Sequence, residues 1–241
     1  MPLPCMQQLT FNDHAALSHH AADYIANLVR QKPDAVLCLA SGDTPTETYR
    51  LLSNMVRSGQ LDLTQCRFIG LDEWVGFGPT DVGSCAYYLY RDLFTPANIR
   101  PEQITYFDAK ATDLQAECAR VDTAIAGFGR LDLLLVGVGL NGHIALNEPG
   151  TPFSLRCHVV QLAQSTIGVG QKYFTQPTPL SQGITLGLQH LTEARDVILM
   201  ASGPRKAAIV GQALHGPVTE SLPASIMQTH GNGRVWTDFI P

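Results

Sequence analysis

Hydrophobic and polar residues follow two different periods along this chain. Four short stretches are almost continuously apolar, which is typical of strands buried on both faces of a sheet. Segments with apolar residues at helical spacing separate them. Strands and helices that alternate in this way predict an α/β fold: an open, mostly parallel twisted sheet with helices on both faces, Rossmann-like in architecture. The predicted strands are AVLCLA (35–40), RFIGL (67–71), LDLLLVGV (131–138) and DVILMA (196–201), and the predicted helices span about 13–31, 45–57, 84–93, 112–127 and 204–214.

No repeat, low-complexity tract or linker interrupts this alternation, which predicts a single domain over residues 1–241. The formal net charge of −5 argues against a global positive field that would attract nucleic acid or acidic lipid. No apolar run approaches the roughly 20 residues of a membrane span, and the N-terminal residues lack the basic-then-apolar pattern of a signal peptide. We therefore expect a cytoplasmic monomer or homo-oligomer that binds a small molecule, with neither a nucleic-acid nor a membrane partner.

The cysteines are scattered singly and form no C-x-x-C pair. Such spacing argues against a zinc cage, and a disulfide framework is unusual in so long a chain. We expect most of them to be small core residues and the chain to need no metal. They are Cys5, Cys38, Cys66, Cys85, Cys118 and Cys157.

Polar or glycine-rich segments follow the four predicted strands: SGDTP, DEW, GLNGH and SGPRK, in chain order. Ligands of open α/β sheets bind at the carboxyl ends of strands, so these segments predict one common site. In the first of them Gly42 lets backbone amides approach a ligand, while Ser41 and Thr44 supply hydroxyls. The helix start that follows favours an anion such as a phosphate. Simple capping of that helix by Asp43 or Thr44 explains the same residues without a ligand.

Charged residues stand in two of the other segments. Lys206 in SGPRK can add a positive charge at the same phosphate, with Arg205 beside it, although a solvated lysine at a helix start is the plainer interpretation. Asp72 and Glu73 follow the second strand directly. A carboxylate there, next to Trp74, can have a raised pKa and act as a general base. The alternative is that these carboxylates cap a helix or a turn.

The third segment contains Gly137, Gly139 and Gly142, which match the G-x-G-x-x-G spacing of dinucleotide-binding loops. That fingerprint needs an unbroken helix after the glycines and an acidic residue about 20 positions later. Pro149 comes too soon for such a helix, and no Asp or Glu occurs over 149–192. We therefore expect no dinucleotide cofactor, and we assign Gly139 to substrate binding.

The same segment continues into a histidine surrounded by polar residues. The glycines let His143 leave the end of the sheet, where Asn141 or Glu148 can hydrogen-bond its ring and fix its tautomer. These surroundings favour a catalytic role over a structural one. The acid-free stretch that follows contains Arg156 and Lys172 and suits a segment lying over an anionic substrate, although chance in a charge-poor chain explains it equally well.

In this order the motifs resemble those of the glucosamine-6-phosphate deaminase/isomerase family, within the wider group that includes 6-phosphogluconolactonases. The resemblance runs from about Ala35 to Trp236 and covers SGDTP, LDEWVG, GVGLNGHIALNEPG, GITLGL (183–188) and the Lys206 segment. NGHIALNEPG is specific to the deaminase branch, because lactonases share the GH but lack the following NEP. The same motifs resemble the galactosamine-6-phosphate deaminases, so the sugar epimer stays open.

The resemblance implies a deaminase/lactonase type of fold and conversion of an amino-sugar 6-phosphate to a ketose 6-phosphate and ammonia, without metal or cofactor. It implies that Asp72 moves a proton between C2 and C1, and that His143 assists ring opening while Glu148 orients it. The alternatives are a hydrolase of the 6-phosphogluconolactonase type and a non-catalytic sugar-phosphate-binding protein. A sensor of that last kind carries a DNA-binding helix-turn-helix, for which this chain has no evident segment.

Three positions depart from the family pattern. Asn141 stands where many members carry aspartate; asparagine can orient His143 but stabilises an imidazolium less well. The phosphate-binding arginine of the lid falls near Ile167, and Lys172 is its candidate substitute. His158 replaces one of the basic residues of allosteric members, and Val160 the other. We therefore expect no activation by an acetylated amino-sugar phosphate.

Overall fold

The computed structural model of the chain describes residues 6–241. Residues 1–5, which include Cys5 and the start of the stretch inspected for a signal peptide, lie outside the described residues. The strands are β1 (Gln7–Thr10), β2 (Val36–Leu39), β3 (Arg67–Ile69), β4 (Asp72–Trp74), β5 (Ile104–Thr105), β6 (Leu133–Val136), β7 (His158–Gln161), β8 (Gln182–Thr185), β9 (Asp196–Ala201) and β10 (Gly233–Thr237). The helices are α1 (His14–Gln31), α2 (Asp43–Arg57), α3 (Cys85–Leu89), α4 (Leu114–Phe128), α5 (Gln164–Gly170), α6 (Leu188–Glu193) and α7 (Ala207–His215).

Two sheets organise these elements. The larger has seven strands in the order β1-β10-β9-β6-β2-β3-β5, and every neighbouring pair is parallel. The smaller is antiparallel, in the order β4-β8-β7. After β2 the chain first adds strands on one side and then, from β6 onward, on the other side. The boundary between β2 and β6 is therefore a topological switch point, where open α/β sheets bind ligands.

The strands β2 and β6 in the middle of the main sheet are buried on both faces, and every one of their residues is apolar. Along β2, Val36 and Cys38 belong to one core cluster, whereas Leu37 and Leu39 belong to the other. This period of two is the geometry of an extended strand. Helices α1 and α2 contribute to the cluster of Leu37, and α4 and α7 contribute to that of Val36. The predicted α/β fold, with helices on both faces of a mostly parallel sheet, is confirmed.

The structure differs from the sequence-based prediction in several places. The outer strands β1, β5 and β10 of the main sheet and the short helices α5 and α6 were not predicted. The small antiparallel sheet was not predicted, because β7 and β8 are short strands inside the acid-free stretch. The predicted helix 84–93 is α-helical only through Leu89 and continues as a π-helical turn over Tyr90–Phe94. The last predicted helix begins as a 3₁₀ turn at Pro204–Lys206 before α7.

Most cysteines are core residues, as predicted. Cys38, Cys66, Cys85 and Cys118 are buried free thiols, and Cys157 is half-buried and free. Over residues 6–241, none of the helices has both the length and the hydrophobicity needed to cross a bilayer.

Candidate active site

A cavity of about 240 Å³ lies at the carboxyl ends of β9, β6, β2 and β3, which are neighbours in the main sheet. It spans the switch point between β2 and β6. Segments that follow all four of these strands contribute to its wall, so the structure brings the four predicted segments together. The predicted residues that line it are Ser41, Gly42, Asp43, Thr44, Asp72, Gly139, Asn141, His143, Lys172 and Lys206.

Asp72 is the buried carboxylate of this cavity. It is only 8% exposed and stands at the first position of β4. Burial raises the pKa of its carboxyl to about 6, against the opposing effects of a hydrogen bond with the Cys85 side chain and of the charge of His143. A carboxylate with a pKa near 6 is ionised at neutral pH and still basic enough to accept a proton.

Glu73 points away from the cavity, as the next residue of a strand must. Its Oε1 accepts hydrogen bonds from the backbone N–H groups of Trp74 and Cys85, both at 2.9 Å, and its Oε2 accepts one from Ala86 at 2.9 Å. Burial raises the pKa of Glu73 to about 7 despite these bonds. The carboxylate thus satisfies the free amides at the start of α3, which is a structural role.

His143 lies on the cavity wall with Glu148 behind it. The Nδ1 atom of its ring is 3.6 Å from Oε2 of Glu148 and 3.3 Å from the hydroxyl of Thr166. Burial opposes the ionised form of Glu148, but contacts with His143, Thr166 and the N–H of Ala163 outweigh it and lower the pKa of Glu148 to about 2. The carboxylate of Glu148 is therefore ionised at neutral pH where it faces the His143 ring.

Asn141 acts differently from the expectation that it would hold the His143 ring. Its Oδ1 accepts the backbone N–H of His143 at 3.2 Å, and its Nδ2 donates to Oε2 of Glu148 at 2.8 Å. The side chain therefore orients the carboxylate that faces the ring. Because an asparagine can donate a hydrogen bond to Glu148 whereas an ionised aspartate cannot, the residue suits this position.

The glycines of this loop provide space for the histidine. A Cβ atom at Gly139 would overlap the imidazole of His143, and one at Gly142 would overlap the side chain of Leu222. Gly142 also has φ of 83°, in the left-handed region that favours glycine. The structure thus gives a steric reason for two of the three glycines of the G-x-G-x-x-G spacing, Gly139 and Gly142.

The phosphate candidates lie at the start of α2. Gly42 has φ of 105° and is the N-cap residue of that helix, which turns the backbone of the loop toward the cavity. Lys206 faces the same cavity, and burial and the charge of Lys172 lower its pKa. Lys172 Nζ lies 2.7 Å from the carboxylate of Asp43. Two cations and one exposed carboxylate therefore meet at this end of the cavity.

Three predicted residues lie outside the cavity lining: Glu148 stands behind His143, Glu73 faces the start of α3, and Arg205 is exposed. The lining residues that were not predicted from the sequence include Cys85, Tyr88, Thr166 and Tyr173. Thr166 and Tyr173 belong to the acid-free stretch, and the lack of acidic residues there was the only sequence feature that pointed to this segment as part of the site. Cys85 and Tyr88 are ordinary helix positions, and no local pattern distinguishes them.

Comparison with known proteins shows the family. The family described as glucosamine-6-phosphate isomerases/6-phosphogluconolactonase matches residues 12–236. The glucosamine-6-phosphate deaminase of Bacillus velezensis is 39% identical over 234 residues, which are 97% of this chain and 97% of that protein. The corresponding protein of Lachnoclostridium phytofermentans is 38% identical over 226 residues, or 93% and 96% of the two chains.

A solved structure of a monomeric glucosamine-6-phosphate deaminase is also similar. It has a TM-score of 0.93 and 33% sequence identity, and the match covers 96% of this chain and 97% of that chain. These findings confirm the resemblance that the motifs indicated. The chain belongs to the glucosamine-6-phosphate isomerase/6-phosphogluconolactonase family.

Proposed function

We propose that the chain is an amino-sugar-6-phosphate deaminase, an enzyme that converts glucosamine 6-phosphate or galactosamine 6-phosphate to the ketose 6-phosphate and ammonia. The observation that carries the proposal is the pairing of one buried carboxylate, Asp72, with one imidazole, His143, on a cavity that has two lysines at one end. The similar proteins named as glucosamine-6-phosphate deaminases support it.

Opening of the sugar ring is the role of His143. The imidazole takes the proton of the anomeric hydroxyl and returns it to the ring oxygen as the bond between C1 and that oxygen breaks. The open-chain aldehyde is the product of this step. Glu148 stabilises the imidazolium that forms in between, and its low pKa keeps it charged at every pH where the enzyme works.

Isomerisation is the role of Asp72. Its carboxylate removes the proton from C2, which leaves an enol-amine, and delivers a proton to C1 to give the ketimine at C2. Water adds to that ketimine and ammonia leaves, so the net reaction consumes one water for each ammonia. The raised pKa of Asp72 suits both halves of this transfer, because a group near pKa 6 both accepts and returns a proton readily.

The phosphate of the substrate binds at the start of α2. The amides after Ser41 and the hydroxyl of Thr44 face that end of the cavity together with Lys206. Lys172, the candidate substitute for the missing lid arginine, reaches the same place from the 3₁₀ turn after α5. A phosphate there is held by backbone dipoles and two ammonium groups.

We also propose the cellular compartment and the oligomeric state of the enzyme. Free thiols at all five described cysteines suit the reducing cytoplasm. The similar solved deaminase is monomeric, and we propose the same state for this chain.

The decisive experiment measures ammonia release from glucosamine 6-phosphate and galactosamine 6-phosphate side by side, with the wild type and with Asp72→Asn. We expect ammonia from at least one sugar, with the ratio of kcat/KM identifying the epimer. Asp72→Asn should lose at least about a hundredfold in kcat, the scale of a general base, while it still binds the sugar phosphate. Hydrolysis of 6-phosphogluconolactone without ammonia release would instead establish the lactonase alternative, and undiminished turnover by the variant would refute the role of Asp72.

A further inference from the structure

Three side chains with metal-binding atoms converge outside the cavity described above. Asp122 is on α4, Cys157 directly precedes β7, and His190 is on α6. One donor atom of each, a carboxylate oxygen, the Sγ and a ring nitrogen, lies within 4.8 Å of the other two. We propose that this Asp–Cys–His cluster is a Zn²⁺-binding site, independent of the proposed function.

One distance in the cluster already matches that between two zinc ligands, and a second distance must increase. The Sγ of Cys157 is 3.7 Å from Nε2 of His190. Tetrahedral zinc with bonds of about 2.3 Å to sulfur and about 2.0 Å to nitrogen separates those two ligands by about 3.5 Å. The remaining pair, Oδ1 of Asp122 and Nε2 of His190, is at the hydrogen-bond distance of 2.6 Å. It must open to about 3.3 Å for zinc, and the Asp122 side chain, which is 24% exposed, has room to move.

The chemistry of the three donors selects zinc. A thiolate, a carboxylate and a neutral imidazole carry two negative charges together, which neutralise one divalent cation. Mixed sulfur, nitrogen and oxygen donors suit Zn²⁺, whereas Mg²⁺ and Ca²⁺ take oxygen ligands only. Binding breaks the S–H bond of Cys157 and releases its proton to solvent as the Zn–S bond forms.

A metal ion can reach the cluster from solvent, and a backbone hydrogen bond holds one of its ligands in place. A cavity of about 400 Å³ opens beside Asp122 and His190 and can supply a water as fourth ligand. Arg156, at the rim of this cavity, is paired with Glu193 at 2.6 Å, so its charge is compensated. The backbone N–H of Cys157 donates to Oδ1 of Asp122 at 3.2 Å, which holds the carboxylate next to the thiol.

A bound metal would join α4 and α6 to the small sheet through β7. Without metal, the hydrogen bond between His190 and Asp122 makes part of the same link. A metal site and a purely hydrogen-bonded cluster differ in one measurable property: only in the metal site does the thiol of Cys157 become a metal ligand.

Titration with Co²⁺ tests this property, because a thiolate bound to Co²⁺ gives a charge-transfer band in the near ultraviolet. Cobalt bound by histidines alone would not give that band. We expect the chelator-treated full-length protein to develop the band with one equivalent of Co²⁺, and Zn²⁺ to remove it. Cys157→Ser should lack the band, whereas Cys66→Ser, a matched change of a buried thiol in the other core cluster, should retain it.

Two further measurements keep the proposal testable if Cys157→Ser folds poorly. His190→Gln, which keeps a hydrogen-bond donor for Asp122, should bind Co²⁺ at least about tenfold more weakly than the wild type. Zn²⁺ at a hundred times its Kd should raise the Tm of the wild type by about 5 °C. A wild type without the band, or a band that persists in Cys157→Ser, would overturn the proposal and leave the hydrogen-bonded link alone.

Discussion

At the scale of single residues, the absence of a side chain at Gly139 determines where the His143 ring lies. A Cβ at Gly139 would overlap that ring, whereas a Cβ at Gly137 would meet nothing within 4 Å. A ring displaced by a fraction of an ångström loses its alignment with the sugar.

We therefore expect Gly139→Ala to lower kcat by about a hundredfold. Gly137→Ala, a change of the same size two residues earlier, should leave kcat near the wild-type value. Ammonia release at saturating substrate measures both. Equal losses in the two variants would mean that the loop backbone, not the contact with His143, is the sensitive feature.

Cys85 tunes Asp72 at the same scale. A hydrogen bond with the Cys85 side chain lowers the pKa of Asp72, which burial otherwise raises. Removing the donor disfavours the charged carboxylate, so the pKa of Asp72 should rise further.

The pH dependence of kcat/KM tests this effect. The wild type should lose activity below about pH 6, where Asp72 takes up its proton. In Cys85→Ala this acidic limb should move to higher pH, while Cys85→Ser, which keeps a donor, should hold it near the wild-type position. Superimposable profiles for the wild type and Cys85→Ala would show that the thiol does not influence the carboxylate.

At the scale of secondary-structure elements, the strand β4 gives neighbouring carboxylates different tasks. Side chains of consecutive strand residues point to opposite faces. Asp72 therefore faces the cavity, and Glu73 faces the start of α3, where it accepts the backbone N–H of Cys85. The same contact places Cys85 beside Asp72, so the structural carboxylate helps position the reactive one.

Asp132 joins α1, β2 and β9 at the other end of the sheet. Its Oδ2 accepts hydrogen bonds from Lys32 Nζ at 2.7 Å and from the backbone N–H of Val36 at 2.9 Å, and Arg195 Nε lies 3.6 Å from its Oδ1. Its side chain is only 4% exposed. Loss of this carboxylate leaves a buried amide and an ammonium without their partner.

We expect Asp132→Ala to lower the free energy of unfolding by about 3 kcal/mol. Asp34→Ala removes the other carboxylate near Lys32, which is 3.4 Å away and 72% exposed, and should cost less than about 0.5 kcal/mol. Urea unfolding of both variants measures the difference. Similar losses of unfolding free energy in the two variants would show that the burial of Asp132 does not strengthen its interaction with Lys32.

At the scale of the whole molecule, the buried carboxylate of Asp72 opposes folding. The pKa of Asp72 is about 6 in the folded chain against 3.8 for a free side chain. The folded chain therefore binds this proton more tightly than the unfolded chain, and stability falls as pH rises from about 4 to 6. Sites shaped for chemistry commonly carry such a cost.

Asp72→Asn should for this reason be more stable than the wild type at neutral pH. We expect a gain of about 3 kcal/mol at pH 7.5, and about 1.4 kcal/mol less at pH 5, where the wild-type carboxyl is mostly protonated when folded. Other ionisable groups are common to both proteins and cancel in the comparison. Urea unfolding at the two pH values measures the difference in free energy of unfolding between the variant and the wild type. A difference that does not change with pH would contradict the raised pKa of Asp72.

The amino-acid sequence by itself determined four adjacent strands of the main sheet, β9, β6, β2 and β3, and several of the residues that follow them at the cavity. Strands of a doubly covered sheet are apolar at every position, so LDLLLVGV and DVILMA are visible as local patterns. Polar residues must follow such strands where a ligand binds, which located Asp72 and His143 without any knowledge of their contacts. Local periodicity was sufficient because these features repeat over a few neighbouring residues.

Tertiary structure alone decided the contacts between distant segments. β4 pairs with β8 across more than a hundred residues, and this pairing separates Asp72 from Glu73. Thr166 reaches His143, and Asp122 reaches Cys157 and His190, through chain reversals that no local pattern encodes. The physical reason is that short antiparallel strands and single side-chain contacts depend on packing of the whole core, whereas strand and helix periods depend only on backbone geometry.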